Sequence, residues 1–151
     1  MPTIETTVFI ARPPEIVADA FLDPANAVCW TTDLERFEII SRTPGEVGSV
    51  AHLHYRQHGR PYVLVDVLEE MVPHQYFRSR VEGGGLKAEV ETWLRSKNDG
   101  TAVTVRWVGS GTAFLTRFLL PFLRGAIRRR TRSDLERFKS LVETHGAHFP
   151  G

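Results

Sequence analysis

The stretch Thr112–His145, TAFLTRFLLPFLRGAIRRRTRSDLERFKSLVETH, is where the fold is decided. Leu120, Leu123, Ile127, Thr131, Leu135, Phe138 and Val142 recur within it at helical spacing and form one nearly continuous stripe. Pro121 predicts a kink or a restart of that helix, because proline removes a backbone donor and crowds the preceding turn. Gly125 weakens helix preference by about 1 kcal/mol, and Gly146 is a natural stop. A helix with such a stripe needs an apolar surface to cover, and the upstream sequence offers only a sheet large enough.

Working back from that helix, Thr3 to Ile10 reads as a first strand rich in Thr, Val, Ile and Phe. Pro13-Pro14-Glu15 opens a short helix to about Phe21, and Asp23-Pro24 opens a second that reaches Trp30. Strands are predicted at roughly 35–42, 48–57, 61–69, 74–81, 85–95 and 101–109. Pro44-Gly45, Gly59, Pro73, Gly83-Gly84-Gly85 and Asn98-Asp99-Gly100 punctuate them. Every gap is far shorter than the dozen or so residues of a parallel crossover, so neighbouring strands should run antiparallel. The expected architecture is α+β: a curved seven-stranded antiparallel sheet around one long C-terminal helix, with two short helices after strand 1. With no linker or repeat in view, residues 1–151 are expected to form one domain.

Composition narrows the function classes. The 151 residues are 42% hydrophobic and 25% charged, the proportions of a globular chain rather than a disordered one. Cys29 is the single cysteine, which excludes an internal disulfide framework and a multi-cysteine zinc site. No secretory signal is visible, and no apolar run reaches the ~20 residues of a membrane-spanning helix, so a cytoplasmic setting is expected. The net charge of +1 conceals an asymmetry. Residues 1–116 carry 11 basic and 15 acidic side chains, whereas 117–151 carry 8 and 3. Arg124, Arg128 and Arg132 recur every four residues, with Arg117 and Lys139 near the same sector and Arg129, Arg130 and Arg137 broadening it. This reads first as a solvated face, and second as a surface for transient contact with an anionic membrane. Nucleic-acid binding has neither a stacking-strand motif nor a helix-turn-helix behind it.

The order strand, two short helices, sheet, long helix resembles the helix-grip fold of the START-like, or SRPBCC, superfamily, nearest to its polyketide cyclase/dehydrase and lipid-transport branch. The likeness rests on Ile10-Ala11-Arg12-Pro13-Pro14-Glu15-Ile16-Val17, Phe21-Leu22-Asp23-Pro24 and Trp30. At the other end it rests on Phe118-Leu119-Leu120-Pro121-Phe122-Leu123 and Asp134-Leu135-Glu136-Arg137-Phe138-Lys139. It covers roughly residues 3–145. The resemblance implies an apolar cavity between sheet and helix that takes lipids, polyketides or other hydrophobic molecules, in some members with cyclase or aromatase chemistry. Fold likeness alone does not choose among these functions.

Alternation along the strands supplies candidate wall residues. Ala51, Leu53 and Tyr55 oppose His52, His54 and Arg56. Leu86, Ala88, Val90, Thr92 and Leu94 oppose Lys87, Glu89, Glu91 and Trp93. Val103, Val105 and Trp107 oppose Thr104 and Arg106, while Phe77, Ser79 and Val81 join the apolar face. In the strand 61–69, Tyr62, Leu64, Asp66 and Leu68 share one face and Val63, Val65 and Val67 the other, and periodicity does not orient it. The proposed ligand-binding set is Trp30, Leu53, Tyr55, Val90, Thr92 and Trp107, with the entrance near Trp30, Gly59 and Gly83-Gly85. Tyr55 and Asp66 are the weak catalytic candidates, and Ser79 and Thr92 are further polar handles.

Other constellations read more simply. His52 and His54 could meet one metal, but no third ligand completes the set, so no metal is expected. Glu89 and Glu91 lie between Lys87 and Arg95, with Arg106 across the strand, as an outer charge ladder. Cys29 lacks a local group to stabilise a thiolate and reads as a packing thiol. Phosphate-loop, nucleophile-elbow and dinucleotide patterns are lacking, so no cofactor is expected. Three functions remain: carriage of a small hydrophobic ligand first, a cyclase, dehydratase or aromatase-like enzyme second, and an interaction protein with a filled core third.

Overall fold

The computed structural model describes residues 3–43, 45–57, 59–83, 86–111 and 114–150, with all their side chains except those at 86, 110, 111, 114–124, 126 and 127. Expectations resting on Pro44, Gly84, Gly85 and the side chains of Leu86, Arg117, Leu120, Leu123, Arg124 and Ile127 therefore lie outside the described residues. The elements run β1 (Thr3–Ile10), α1 (Pro14–Leu22), α2 (Pro24–Trp30), β2 (Leu34–Ser41), β3 (Val50–Gln57), β4 (Arg60–Val72), β5 (Tyr76–Gly83), β6 (Leu86–Lys97), β7 (Gly100–Gly111) and α3 (Phe114–His145). The seven strands form one curved antiparallel sheet in the order β1-β7-β6-β5-β4-β3-β2.

Local chemistry accounts for the boundaries. Pro14 begins α1, and the Asp23 carboxylate caps α2 by accepting from the Ala25 N–H at 3.0 Å. Asn98 and Asp99 both take positive φ and close a two-residue hairpin between β6 and β7, which suits the twist of the paired strands. Gly146, at φ +75°, ends α3 with its N–H on the Val142 carbonyl.

α3 runs through Pro121 as one helix, so of the kink or restart expected there the restart does not occur. One boundary is corrected. His74 does not start β5; it sits in the turn before it with φ +62°, and the strand begins at Tyr76. The chain beyond α3 also returns to the body. Phe149 is buried and donates its N–H to Asn26 Oδ1, while Asn26 Nδ2 donates to the carbonyls of Ala20 and Ala147. A fully buried asparagine with all these bonds satisfied pins the α1–α2 corner to the tail.

The helices do not cover the sheet evenly. α3 packs on β1 and β7, α1 on β6 and β7, and α2 on β2. The dense core lies under the first two, where Val8, Ile10, Val17, Ala18, Ala20, Val103, Leu135, Phe138 and Val142 are buried together. Phe138 is fully buried, with Phe21, Trp30 and Phe149 rings around it at centroid distances of 5.4, 4.9 and 6.0 Å. A second cluster, Leu34, Ala51, Leu53 and Tyr55, lies toward β2 and β3. Between the two, the inner faces of β3, β4 and β5 border open space.

Candidate functional site: an internal cavity between sheet and helices

Register decides which side chains face that space. Ala51 pairs with Asp66, Leu53 with Leu64 and Tyr55 with Tyr62, and directly opposed residues share a face of the sheet. Because Ala51, Leu53 and Tyr55 are buried, β4 presents Tyr62, Leu64, Asp66 and Leu68 inward and its valines outward, leaving Val63 40% exposed. The lattice continues through Leu68, Ser79, Val90 and Trp107 in one row, and through Phe77, Thr92 and Val105 in another. A bulge beyond Leu68 inserts one residue, so that Met71 rather than Glu70 faces Phe77.

These rows form one wall of a half-open cavity of about 680 Å³, bordered on the other side by Phe21, Leu22, Ala27 and Trp30 of α1 and α2 and by Arg130, Thr131, Asp134 and Leu135 of α3. It follows β3 from Val50 to Gln57, and its rim includes the exposed side chains of Ile39, Arg42 and Gln57. Trp30, Leu53, Tyr55, Val90, Thr92 and Trp107 all lie on its wall, with Asp66 and Ser79. Gly83 also borders it, whereas Gly59 does not line it. Gly109 serves Trp107: a Cβ there would fall 2.0 Å from the indole Cη2, so only glycine lets the ring lie against the β7 backbone. Ala88 is buried outside the cavity wall.

Most of the wall is apolar, and its polar groups gather at two stations. Asp66 stands midway along β4, where lost solvation raises its pKa to about 6 and a hydrogen bond from Ser79 pulls it partly back. The surface it keeps borders the cavity. The second station lies four residues away on β4, roughly 13 Å along the strand. Tyr55 and Tyr62 stack there at 5.0 Å and 6°, and the Arg130 guanidinium lies 5.2 Å over the Tyr55 ring. Arg130 Nη2 donates to the Thr32 carbonyl at 2.6 Å, while Nη1 lies 3.5 Å from the Tyr62 hydroxyl, long for a hydrogen bond. Burial pushes the Tyr55 phenol well above its ordinary range, with Arg130 opposing, so the hydroxyl stays protonated at neutral pH. Asp134 accepts from the Thr32 N–H and hydroxyl, and burial still raises its pKa. The Trp30 indole N–H is buried without a partner among the described residues.

Arg130 is the residue that sequence reasoning missed. Counted among the basic side chains of a solvated face, it instead lines the cavity. Arg137 likewise turns back, donating to the Trp30 carbonyl at 3.0 Å. Helical spacing carried the signal. Residue 130 lies one position before Thr131, Asp134 one before Leu135, and the two are four apart on the flank of the apolar stripe. Arg128 and Arg132 are exposed, as the spacing implies.

The outer face carries the remaining constellations. Glu91 accepts from Arg106 and from the Tyr76 hydroxyl, and Arg106 lies 5.1 Å over Trp93. His54 meets Glu38 at 2.8 Å, with His52 at 3.9 Å. No group of three potential metal ligands is found among the described residues. Cys29 is half-buried against the core and points at the Ala25 carbonyl.

A curved seven-stranded antiparallel sheet gripping a long C-terminal helix over an internal cavity defines a START-like, helix-grip protein. The chain belongs to the family described as polyketide cyclase/dehydrase and lipid transport, whose profile matches residues 1–143. That family is associated with small hydrophobic ligands. Among solved structures the chain is similar to the Zhui aromatase/cyclase of a Streptomyces species, with 16% identity, TM-score 0.74 and 91% of each chain covered. It is similar to a START superfamily protein from Mycobacterium smegmatis at 17% identity and TM-score 0.75, over 92% of this chain and 98% of that one. Protein CV1439 from Chromobacterium violaceum matches at 18% identity and TM-score 0.76, over 94% and 97%. Likenesses at this identity establish the fold. No curated protein sequence matches the chain. Among the described residues, no helix is long and apolar enough to cross a membrane.

Proposed function

We propose that this chain, acting as one domain in a reducing, cytoplasmic setting, binds or carries a small hydrophobic molecule, lipid or polyketide-like. The supporting observation is the cavity of about 680 Å³, with walls mostly of aliphatic and aromatic side chains and few polar atoms. Trp30, Leu53, Val90 and Trp107 would remove ligand surface from water, and Tyr55 and Thr92 would orient a polar end. Native mass spectrometry of gently purified protein, with extraction of any bound molecule, identifies the ligand. Titration calorimetry with that molecule should then show binding lost in folded Val90→Arg and reduced slightly in Tyr55→Phe. Unchanged affinity in both would reject this wall.

A catalytic reading has one observation in its favour. Asp66 is a cavity carboxylate with a pKa of about 6, close to the value that suits proton transfer near neutral pH. Against it, the tyrosine pair lies roughly 13 Å from Asp66 along β4, so the ionisable groups do not converge on one reacting atom. Incubating the extracted ligand with fresh protein separates the readings: unchanged mass supports carriage, and loss of water supports dehydration. Exposed Arg128 and Arg132 support transient contact with anionic membrane surfaces, together with Arg124. Failure to bind anionic vesicles at low salt would remove that part of the proposal.

A further inference from the structure

We infer that the ligand of this cavity carries a carboxylate head that docks on Arg130, which makes its class an amphipathic acid. The inference rests on the ligand-binding reading above and specifies which end of the molecule goes where. Arg130 is half-buried on the cavity wall, and no carboxylate lies within 4.0 Å of it among the described residues. Asp134, one turn away on the same cavity wall, accepts from Thr32 and lies 3.6 Å from Arg137, so its attraction to Arg130 acts through space without contact. A guanidinium has five N–H donors, and here one reaches the Thr32 carbonyl while a second stands at a long distance from Tyr62. The guanidinium carbon lies 5.2 Å over the Tyr55 ring, a cation–π contact that holds it at the wall. A half-buried guanidinium that touches no carboxylate has N–H donors to spare, and a carboxylate accepting from them adds charge-assisted hydrogen bonds.

The rest of the wall sets the orientation. Asp66 is the charge-bearing group of the other station, and once ionised it repels an anion. An acidic head therefore belongs with Arg130, Tyr55 and Tyr62, where the neighbouring wall carboxylate, Asp134, is already engaged by Thr32 and Arg137. The tail then runs past Leu53 and Leu64 toward Leu68 and Phe77, all on the same wall.

The test uses dodecanoic acid, its methyl ester and dodecanol as probes of equal chain, titrated at neutral pH below micelle formation. Quenching of the wall tryptophans Trp30 and Trp107 supplies a signal, with calorimetry as the second readout. The wild type should bind the acid about tenfold or more tighter than the ester or alcohol, the scale of one charge-assisted pair. Arg130→Gln should abolish that preference and leave ester affinity within about twofold. Equal affinity of the wild type for all three overturns the acidic head while leaving the binding cavity intact, and an acid preference kept by folded Arg130→Gln overturns the role of Arg130. Binding of none of the three overturns carriage of alkyl ligands and this inference together. If Arg130→Gln does not fold, the wild-type comparison of acid with ester decides.

Discussion

One sheet carries two interiors in this protein. Over β1 and the Val103 end of β7 the inner face is filled: Val8, Ile10 and Val103 are buried in one cluster with Val17, Phe138 and Val142, none of which lines the cavity. Over β3, β4 and β5 the same kind of face, built from Leu53, Tyr55, Leu64 and Leu68, borders a cavity of about 680 Å³. Residue type does not separate them, since both are aliphatic and aromatic. The difference is the reach of the helices. α3 and α1 pack on β1 and on parts of β6 and β7, α2 packs on β2, and the inner face between them, with Val90, Thr92 and Trp107 at its far side, stands clear. A hydrophobic face becomes a core where a second layer meets it and a binding wall where none does.

The sharpest way to break this comparison is to truncate the filled side. Phe138→Ala removes a fully buried ring with three aromatic neighbours and should cost about 3–5 kcal/mol in urea unfolding. A loss under about 0.5 kcal/mol would mean that the region is not close-packed.

Next in size is the charge on the hollow side. The Asp66 carboxyl releases its proton near 3.8 when unfolded and near 6 when folded. The folded state therefore holds more protons between these values, and stability falls as pH rises through that window and is level above it. Asp66→Asn should remove the fall and stabilise the protein at pH 7 relative to pH 4 by about 2–3 kcal/mol, read from unfolding midpoints across pH. An unaltered pH profile would show that Asp66 is well solvated.

Leu53→Ala tests the wall directly. Leu53 already borders open space on one side, so its truncation should cost about 1–2 kcal/mol, less than Phe138→Ala, while weakening ligand binding. A cost equal to that of Phe138→Ala would show the cavity to be filled in solution. The smallest effect belongs to the surface: replacing Arg128 and Arg132 with Gln should shift stability by less than about 0.5 kcal/mol, checked by the same unfolding curves. A larger loss would place them in the packing.

Periodicity and punctuation alone determined much of this. Leu135, Phe138 and Val142 announce a buried helix face because a period of 3.6 has one physical reading. The Asn98-Asp99 hairpin, the Asp23 cap and the Gly146 stop follow from local backbone chemistry, which needs no distant partner. The six wall residues Trp30, Leu53, Tyr55, Val90, Thr92 and Trp107 were accessible from alternation or helix position. Tertiary structure decided the rest. The orientation of β4 required pairing with β3, because Tyr62, Leu64, Asp66 and Leu68 alternate with valines that are equally apolar. Whether the wall met a second layer depended on where three helices came to lie, which no local pattern encodes. Arg130 faces the cavity because Thr32 and Tyr55, distant in sequence, supply a carbonyl and an aromatic face for its half-buried guanidinium. A charge on the flank of a helix has two stable environments, and only its neighbours in space select between them.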